Sequence, residues 1–505
     1  MTALERLEAV RGVTLREMLT FERMASSEAD DDRRAAIRNA TKRVATLRAE
    51  ATSFLTMTRP FLTVADELAA AQEELSDALR KAQGRAMAAL GPVLASLPEG
   101  SVLITPVATE FGGIVFVVPS GVAAPDHRHV IEMPELTFAN VRERRQKWSA
   151  AYGEACNPAP LDMSARNEEE AWRVAALSLQ EITEWLGAKV MAPVLEKIRE
   201  LEEAHRPPDG SDRSAHLVIM PTGDFGALPF HAALCAFDDA KRPLIREHIV
   251  SYTPSLQALK AAVERAQRTE QDASGGALAL VNPGHDLRFG ETIEAPALHR
   301  LFPDGMILVG DEASKEAFLE HAASRRYLHL SCHGRFDIMH PEQSGMKLAS
   351  SEWLTLPEIT GGLGIDRCRW LMLAACETAM TGLFHTVEES VGPITAFLMA
   401  GAACVTGALW AMPDVSAALV ASRGYEEHLH RQLPPAQAVR AAVLWLMDLS
   451  RDDLRRIIGS EDGGAAWRYR LADIDDAPGA GGSAPDAERP FASPLFWAPF
   501  TVWGM

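Results

Sequence analysis

Apolar and polar residues change their period twice along this chain. Through residues 4–21, 33–54 and 62–90 they recur at helical spacing, broken by Pro60 and by an acidic stretch at 26–32. That pattern predicts a helical hairpin or small bundle over residues 1–95, serving either docking and regulation or a plain structural cap. From Gly100 the period falls to two. Residues 101–107, 113–118 and 129–133 predict short strands between Gly, Pro and Asp turns, and helices follow at 139–152, 168–187 and 190–205. Pro207-Pro-Asp-Gly-Ser-Asp212 is a linker by composition. The β-then-α block at 96–206 carries no cluster of reactive side chains, and it predicts a sheet that extends or buttresses the next domain.

Beyond the linker, apolar runs at 215–220, 249–253, 277–281, 306–309, 327–332, 370–375 and 403–410 predict strands. Helices are expected at 228–234, 255–267, 315–323, 390–400, 415–431 and 434–449, with Ser255 as an N-cap and Pro434 in a first turn. Alternating β and α at this spacing predicts an α/β domain over 215–505, a largely parallel sheet with helices on both faces. The uncharged run 391–413 has the length of a membrane span. Gly392, Pro393, Gly401 and Gly407 instead divide it into a buried helix, a turn and a buried strand. Residues 473–490 are poor in apolar side chains and predict disorder, and the apolar run 494–503 predicts a last strand returning to the sheet.

Two of the strands end in reactive side chains. Tyr327-Leu-His-Leu-Ser-Cys-His-Gly334 ends in a His followed by Gly, and Trp370-Leu-Met-Leu-Ala-Ala-Cys-Glu-Thr378 ends in a Cys. The tips are 376 − 333 = 43 residues apart. As parallel neighbours the two strands would bring His333 and Cys376 to one carboxyl edge, where open α/β sheets place their sites. A thiolate nucleophile needs such a base or acid beside it and an oxyanion hole, which the Gly334 and Cys376 N–H groups would supply. Period 2 puts His329, Ser331 and His333 on one face of their strand. Cys332, Cys368 and Cys404 read as small core residues, and His329, His340 and His385 as ordinary polar ones. Cys332 beside His333 lacks further ligands at useful spacing, so no metal and no cofactor are expected. A nucleotide site is excluded because no Gly-rich phosphate loop follows a strand.

A chain of 505 residues exceeds one core, so two or three domains are expected. Its net charge of −19 argues against direct nucleic-acid or membrane partners. Six scattered cysteines, without a CxxC pair, fit reduced thiols in a cytoplasm. No secretory h-region opens the chain, in keeping with that location.

From about Leu217 to Gly504 the chain resembles a CHAT domain, the caspase-like domain of clan CD cysteine peptidases related to separases. The matching segments are Met220-Pro-Thr-Gly-Asp, Leu228-Pro-Phe, Ser251-Tyr-Thr-Pro-Ser255, Leu328-His-Leu-Ser-Cys-His-Gly334, Ser344-Gly and Leu354-Thr-Leu. They continue with Leu373-Ala-Ala-Cys-Glu-Thr-Ala379, Phe397-Leu-Met-Ala-Gly-Ala402, Leu409-Trp-Ala-Met-Pro-Asp414 and Phe496-Trp-Ala-Pro-Phe500. The block at 96–206 resembles the pseudo-caspase-like region that precedes this domain in the family. The resemblance implies a cysteine endopeptidase with a Cys376/His333 dyad in which His333 chiefly protonates the leaving amine. It places Asp414, Trp410 and Glu377 at the substrate cleft, with Asp414 either binding a basic P1 side chain or capping the helix at Val415. Glu388 and Glu389 are alternative acidic groups. The loops 335–351 and 377–389 would surround the cleft. Ala375-Cys376-Glu377 departs from the caspase signature, so aspartate specificity is not implied. The expected partners are a protein substrate, such as a gasdermin-like effector, and a regulatory protein at the N-terminal helices. The setting implied is activation by a partner or by processing in prokaryotic immunity, antiviral defence or cell death. The alternative is a catalytically silent caspase-like scaffold, against which the intact His333-Gly334 and Cys376 argue.

Overall fold

The computed structural model describes residues 97–122, 124–156, 165–203, 215–272, 274–335, 344–374, 392–460 and 489–505, with Arg43, Glu67, Ala70, Glu74 and Leu94. The chain divides into two compact units, Met1–Val93 and Leu94–Met505. In the first, Arg43 and Glu74 are both helical and form an ion pair of 2.7 Å. The rest of the expected helical region, and the expected disorder at 473–490, lie outside the described residues.

Among the described residues the second unit has sixteen strands. They are β1 (Ser101–Ala108), β2 (Gly113–Pro119), β3 (Val130–Met133), β4 (His216–Ile219), β5 (Leu234–Phe237), β6 (Ala240–Pro243), β7 (Ile249–Tyr252) and β8 (Ala277–Val281). There follow β9 (Met306–Val309), β10 (Tyr327–Ser331), β11 (His333–Arg335), β12 (Gly345–Lys347), β13 (Trp353–Thr355), β14 (Trp370–Leu373), β15 (Cys404–Ala408) and β16 (Phe500–Gly504). Eleven form one sheet in the order β3-β2-β1-β4-β7-β16-β15-β14-β10-β8-β9. β9, β8, β10, β14 and β15 are mutually parallel. β16 is antiparallel to β15 but parallel to β7, which continues in parallel to β4 and β1. The sheet is therefore two parallel groups, β9-β8-β10-β14-β15 and β16-β7-β4-β1, running in opposite directions and joined at the β15–β16 seam, with β2 and β3 added antiparallel at the β1 edge. The carboxyl ends of β10 and β14 emerge at one rim, and those of β4 and β7 at the other.

The main helices are α1 (Phe138–Cys156), α2 (Ala165–Trp185), α3 (Ala192–Glu203), α4 (Leu256–Gln271), α5 (Ala295–Leu301), α6 (Pro393–Met399), α7 (Asp414–Arg431) and α8 (Pro435–Asp448). α7 packs on α8 and α5, and α4 packs on α6. The central strands are buried on both faces, which is why their sequences are continuous apolar runs rather than alternating ones. The 391–413 run is the expected helix, turn and strand: α6, Gly401 at φ +125° and β15.

Four expectations change. Of the run 494–503, expected as a strand, Pro494–Trp497 is a short helical turn, and the strand is Phe500–Gly504. Residues 228–234, which follow a 3₁₀ turn at Gly223–Ala227, form one more short 3₁₀ turn, Phe230–Ala232, and enter the hairpin β5–β6 instead of a helix. Pro229 precedes the second turn, and buried Tyr252 and the Ala498 carbonyl claim the His231 ring at 2.7 Å and 3.0 Å. The helices expected at 168–187 and 190–205 are one rod, α2 and α3 joined by a π-helical turn, Leu186–Met191. Gly187 does not break it; a Cβ there would lie 1.9 Å from the Leu234 carbonyl oxygen, so the glycine lets the helix meet β5. Within 335–351, residues 345–347 form β12, paired with β11 and β13 in a small antiparallel sheet.

α1 crosses the large sheet from rim to rim. Near its start Arg142 and Arg145 reach Asp224 at 3.2 Å and 2.6 Å, in the turn after β4. Near its end Tyr152 donates to the Ala411 carbonyl at 2.7 Å, in the loop after β15. The Met220-Pro-Thr-Gly-Asp motif thus anchors α1 at the rim away from β10.

Candidate active site

β10 and β14 are adjacent and parallel, with Leu330 beside Leu373. The Ala374 N–H donates to the Leu330 carbonyl at 3.0 Å. The chain therefore leaves β14 at the rim where His333 leaves β10. Cys376, Glu377 and the loop 375–391 lie outside the described residues, as do Glu388 and Glu389.

β10 ends at Ser331, Cys332 is buried, and His333 opens β11. Its backbone is tied into the small sheet by the register His333 to Lys347 and Gly334 to Met346. Gly345 in that sheet has no room for a side chain: a Cβ would lie 2.2 Å from the Leu354 carbonyl oxygen. Arg335 stacks over Trp353 at 4.6 Å.

The His333 Nε2 is 2.9 Å from Asp286 Oδ2. A carboxylate only accepts, so Nε2 carries the proton and Nδ1 is left as the acceptor nitrogen. Asp286 belongs to the loop after β8, β10's other neighbour. Asn282, in the left-handed region at φ +51°, folds that loop. Its N–H donates to the Ser331 carbonyl at 2.8 Å, and its Oδ1 accepts from the Leu287 N–H at 2.8 Å.

Asp414 is the first residue of α7, with Pro413 at the N-cap, so it does not hold the cap position itself. Its Oδ2 accepts from the Phe289 N–H at 3.0 Å. The carboxylate thus caps the helical turn that begins beside Asp286, and burial raises its pKa. Trp410 is 3% exposed; its Nε1–H donates to the Leu495 carbonyl at 3.3 Å and its ring meets Trp148 edge-on at 5.2 Å. The structure thus brings together His333, Asp286 and, behind them, Asp414. Asp286 was missed, although the turn-forming Asn282-Pro-Gly-His-Asp286 at the carboxyl end of an apolar run was its signal. Among the described residues no cluster could hold a metal ion, and no helix is long and apolar enough to cross a membrane.

Residues 180–505 match the CHAT domain family, and the chain belongs to it. Among curated proteins none matches it in sequence. In fold it is similar to Saccharomyces cerevisiae separase in two crystal structures of the separase–securin complex. One gives a TM-score of 0.51 at 11% identity over 94% of this chain and 37% of separase, the other 0.49 at 11% over 97% and 40%. The chain thus spans about two fifths of the separase chains it matches. Gingipain R of Porphyromonas gingivalis, an Arg-specific cysteine proteinase, matches with a TM-score of 0.36 at 11% identity over 61% of this chain and 67% of its own. The fold is that of the caspase-like cysteine peptidases.

Proposed function

We propose that the chain is a cysteine-type endopeptidase that cleaves specific partner proteins through a Cys376/His333 dyad. The observation that carries this reading is the His333–Asp286 pair at the rim where β14 delivers the chain toward Cys376. In the proposed reaction the Cys376 thiol gives its proton to His333 Nδ1, its sulfur attacks the scissile carbonyl, and the carbonyl becomes an oxyanion facing the Gly334 and Cys376 N–H groups. His333 gives a proton to the departing amine as the C–N bond breaks, and water then hydrolyses the thioester. Asp286 holds the ring with Nε2 occupied, which leaves Nδ1 to carry that proton.

For substrate binding we propose Glu377, with Trp410 and Asp414 as the wall behind it. The Asp414 carboxylate already accepts from Phe289, so a basic P1 side chain would share it with that amide. Control by a protein partner is part of the proposal, as is a setting in prokaryotic immunity or cell death with a gasdermin-like effector to be tried as substrate. Its support is family likeness; separase was crystallised with securin.

Peptide-library profiling of the wild-type protein beside Cys376→Ala and His333→Ala tests the reading. Both variants should lose about 10³-fold or more in turnover. Cleavage that survives Cys376→Ala ends it. A wild-type protein that cleaves nothing and shows no preferential alkylation of Cys376 is the silent scaffold.

A further inference from the structure

Four residues before His333, β10 carries a second imidazole–carboxylate pair. His329 Nε2 lies 3.2 Å from Glu294 Oε1, with side chains 2% and 1% exposed. The contact is out of line for a good hydrogen bond, and both ring nitrogens and Oε1 lack an aligned partner. The pair is thus held in contact without an aligned hydrogen bond. A buried polar pair with poor hydrogen bonds destabilises the fold relative to apolar packing, so packing alone does not account for it.

Its position supplies an account. Glu294 ends the π-helical turn Gly290–Glu294, and that turn follows directly on the loop that presents Asp286. Segment 282–294 meets β10 and the residues just after it at successive points. Asn282 N–H donates to the Ser331 carbonyl. Gly290 packs so closely that a Cβ would lie 3.3 Å from Ser331 Oγ and 3.3 Å from Val281 Cγ1. Glu294 meets His329. Asp286 meets His333 within the same segment. From α7, Tyr425 meets His329 edge-on at 5.9 Å, and Glu294 adds to the rise that burial gives the Asp414 pKa.

We propose that Glu294 and His329 are positioning residues: a buried imidazole–carboxylate clamp that fixes segment 282–294 against β10 and so sets Asp286 against His333. This rests on the dyad reading for its consequence in catalysis, but not for its existence.

The test uses the full-length protein and reads His333 directly. Carbethoxylation by diethyl pyrocarbonate, mapped by mass spectrometry, follows His333 beside the exposed His127 and His299 as internal controls. Asp286→Asn marks the rate with the shield removed. Glu294→Gln keeps the side-chain shape and removes the charge. It should raise the His333 rate several-fold toward the Asp286→Asn level and leave His127 and His299 unchanged. Where a profiled substrate exists, kcat should fall about 10- to 100-fold with KM nearly constant, as expected for misplacing a reacting group. Gly290→Ala adds one methyl between the segment and β10 and removes no charge, so it decides the matter if Glu294→Gln does not fold. A folded Glu294→Gln, or in its place Gly290→Ala, with His333 at its wild-type rate overturns the clamp. An intact clamp in a protein that cleaves nothing overturns the peptidase reading alone.

Discussion

The contact between His333 and Asp286 joins side chains that are 41% and 54% exposed, so its share of folding stability is between about 0 and 1 kcal/mol. Its effect is on orientation and tautomer. Asp286→Asn should therefore lower kcat about 10²-fold while moving the urea midpoint little; equal losses in both would mark Asp286 as structural. The thiols divide just as sharply. Burial pushes the Cys235 and Cys404 thiols up to about 12, and Cys368 higher still. Brief alkylation at pH 7 should leave these three unmodified until the protein unfolds, whereas exposed Cys156 reacts at once. Peptide mapping of the folded and unfolded protein checks this. His333 was legible as a His-Gly at the end of an apolar run. Asp286 was not, because a carboxylate partner reached across a strand pair leaves no spacing signal in one chain.

At the scale of elements, strands and helices were legible wherever an apolar run or helical period was long enough to decide. They were not where tertiary contacts set the backbone. Gly187 looks like a helix stop in sequence and is a contact point in the fold. Residues 228–234 have helical composition, yet the His231 ring is held by Tyr252 and Ala498, and Pro229 shapes the turn. The small sheet β11–β12–β13 escaped notice because three-residue strands carry too little pattern. Gly187→Ala should cost about 2–4 kcal/mol, since its Cβ meets backbone that cannot rotate away. Gly345→Ala should distort the backbone that presents His333, depressing turnover more than global stability. Calorimetry of both variants beside peptide cleavage separates the two kinds of loss; a Gly187→Ala protein as stable as wild type would refute the close approach.

Across the whole molecule, the two opposed halves of the sheet are joined where β16 lies between β15 and β7, and two histidines, one buried and one half-buried, stand in the half away from the site. His231 bridges Tyr252 of β7 and the Ala498 carbonyl just before β16. His216 opens β4, with Nε2 2.8 Å from Ser251 Oγ. Burial lowers both from 6.5 to about 4. The unfolded chain therefore binds protons that the folded state refuses throughout that interval. Stability from this source is complete above pH 6.5 and is lost as pH falls toward 4. At pH 5 each histidine should destabilise the fold by about 2 kcal/mol relative to pH 8. Paired carboxylates such as Asp448, held low by Arg246, lose their contribution only at more acid pH, so the interval belongs to the histidines. Urea midpoints measured from pH 8 to pH 5 should fall steadily, and His216→Asn should flatten part of that slope, the rest coming from His231 and from His248 and His428, which burial also lowers. A midpoint constant across the interval would mean that neither ring is kept neutral by the fold.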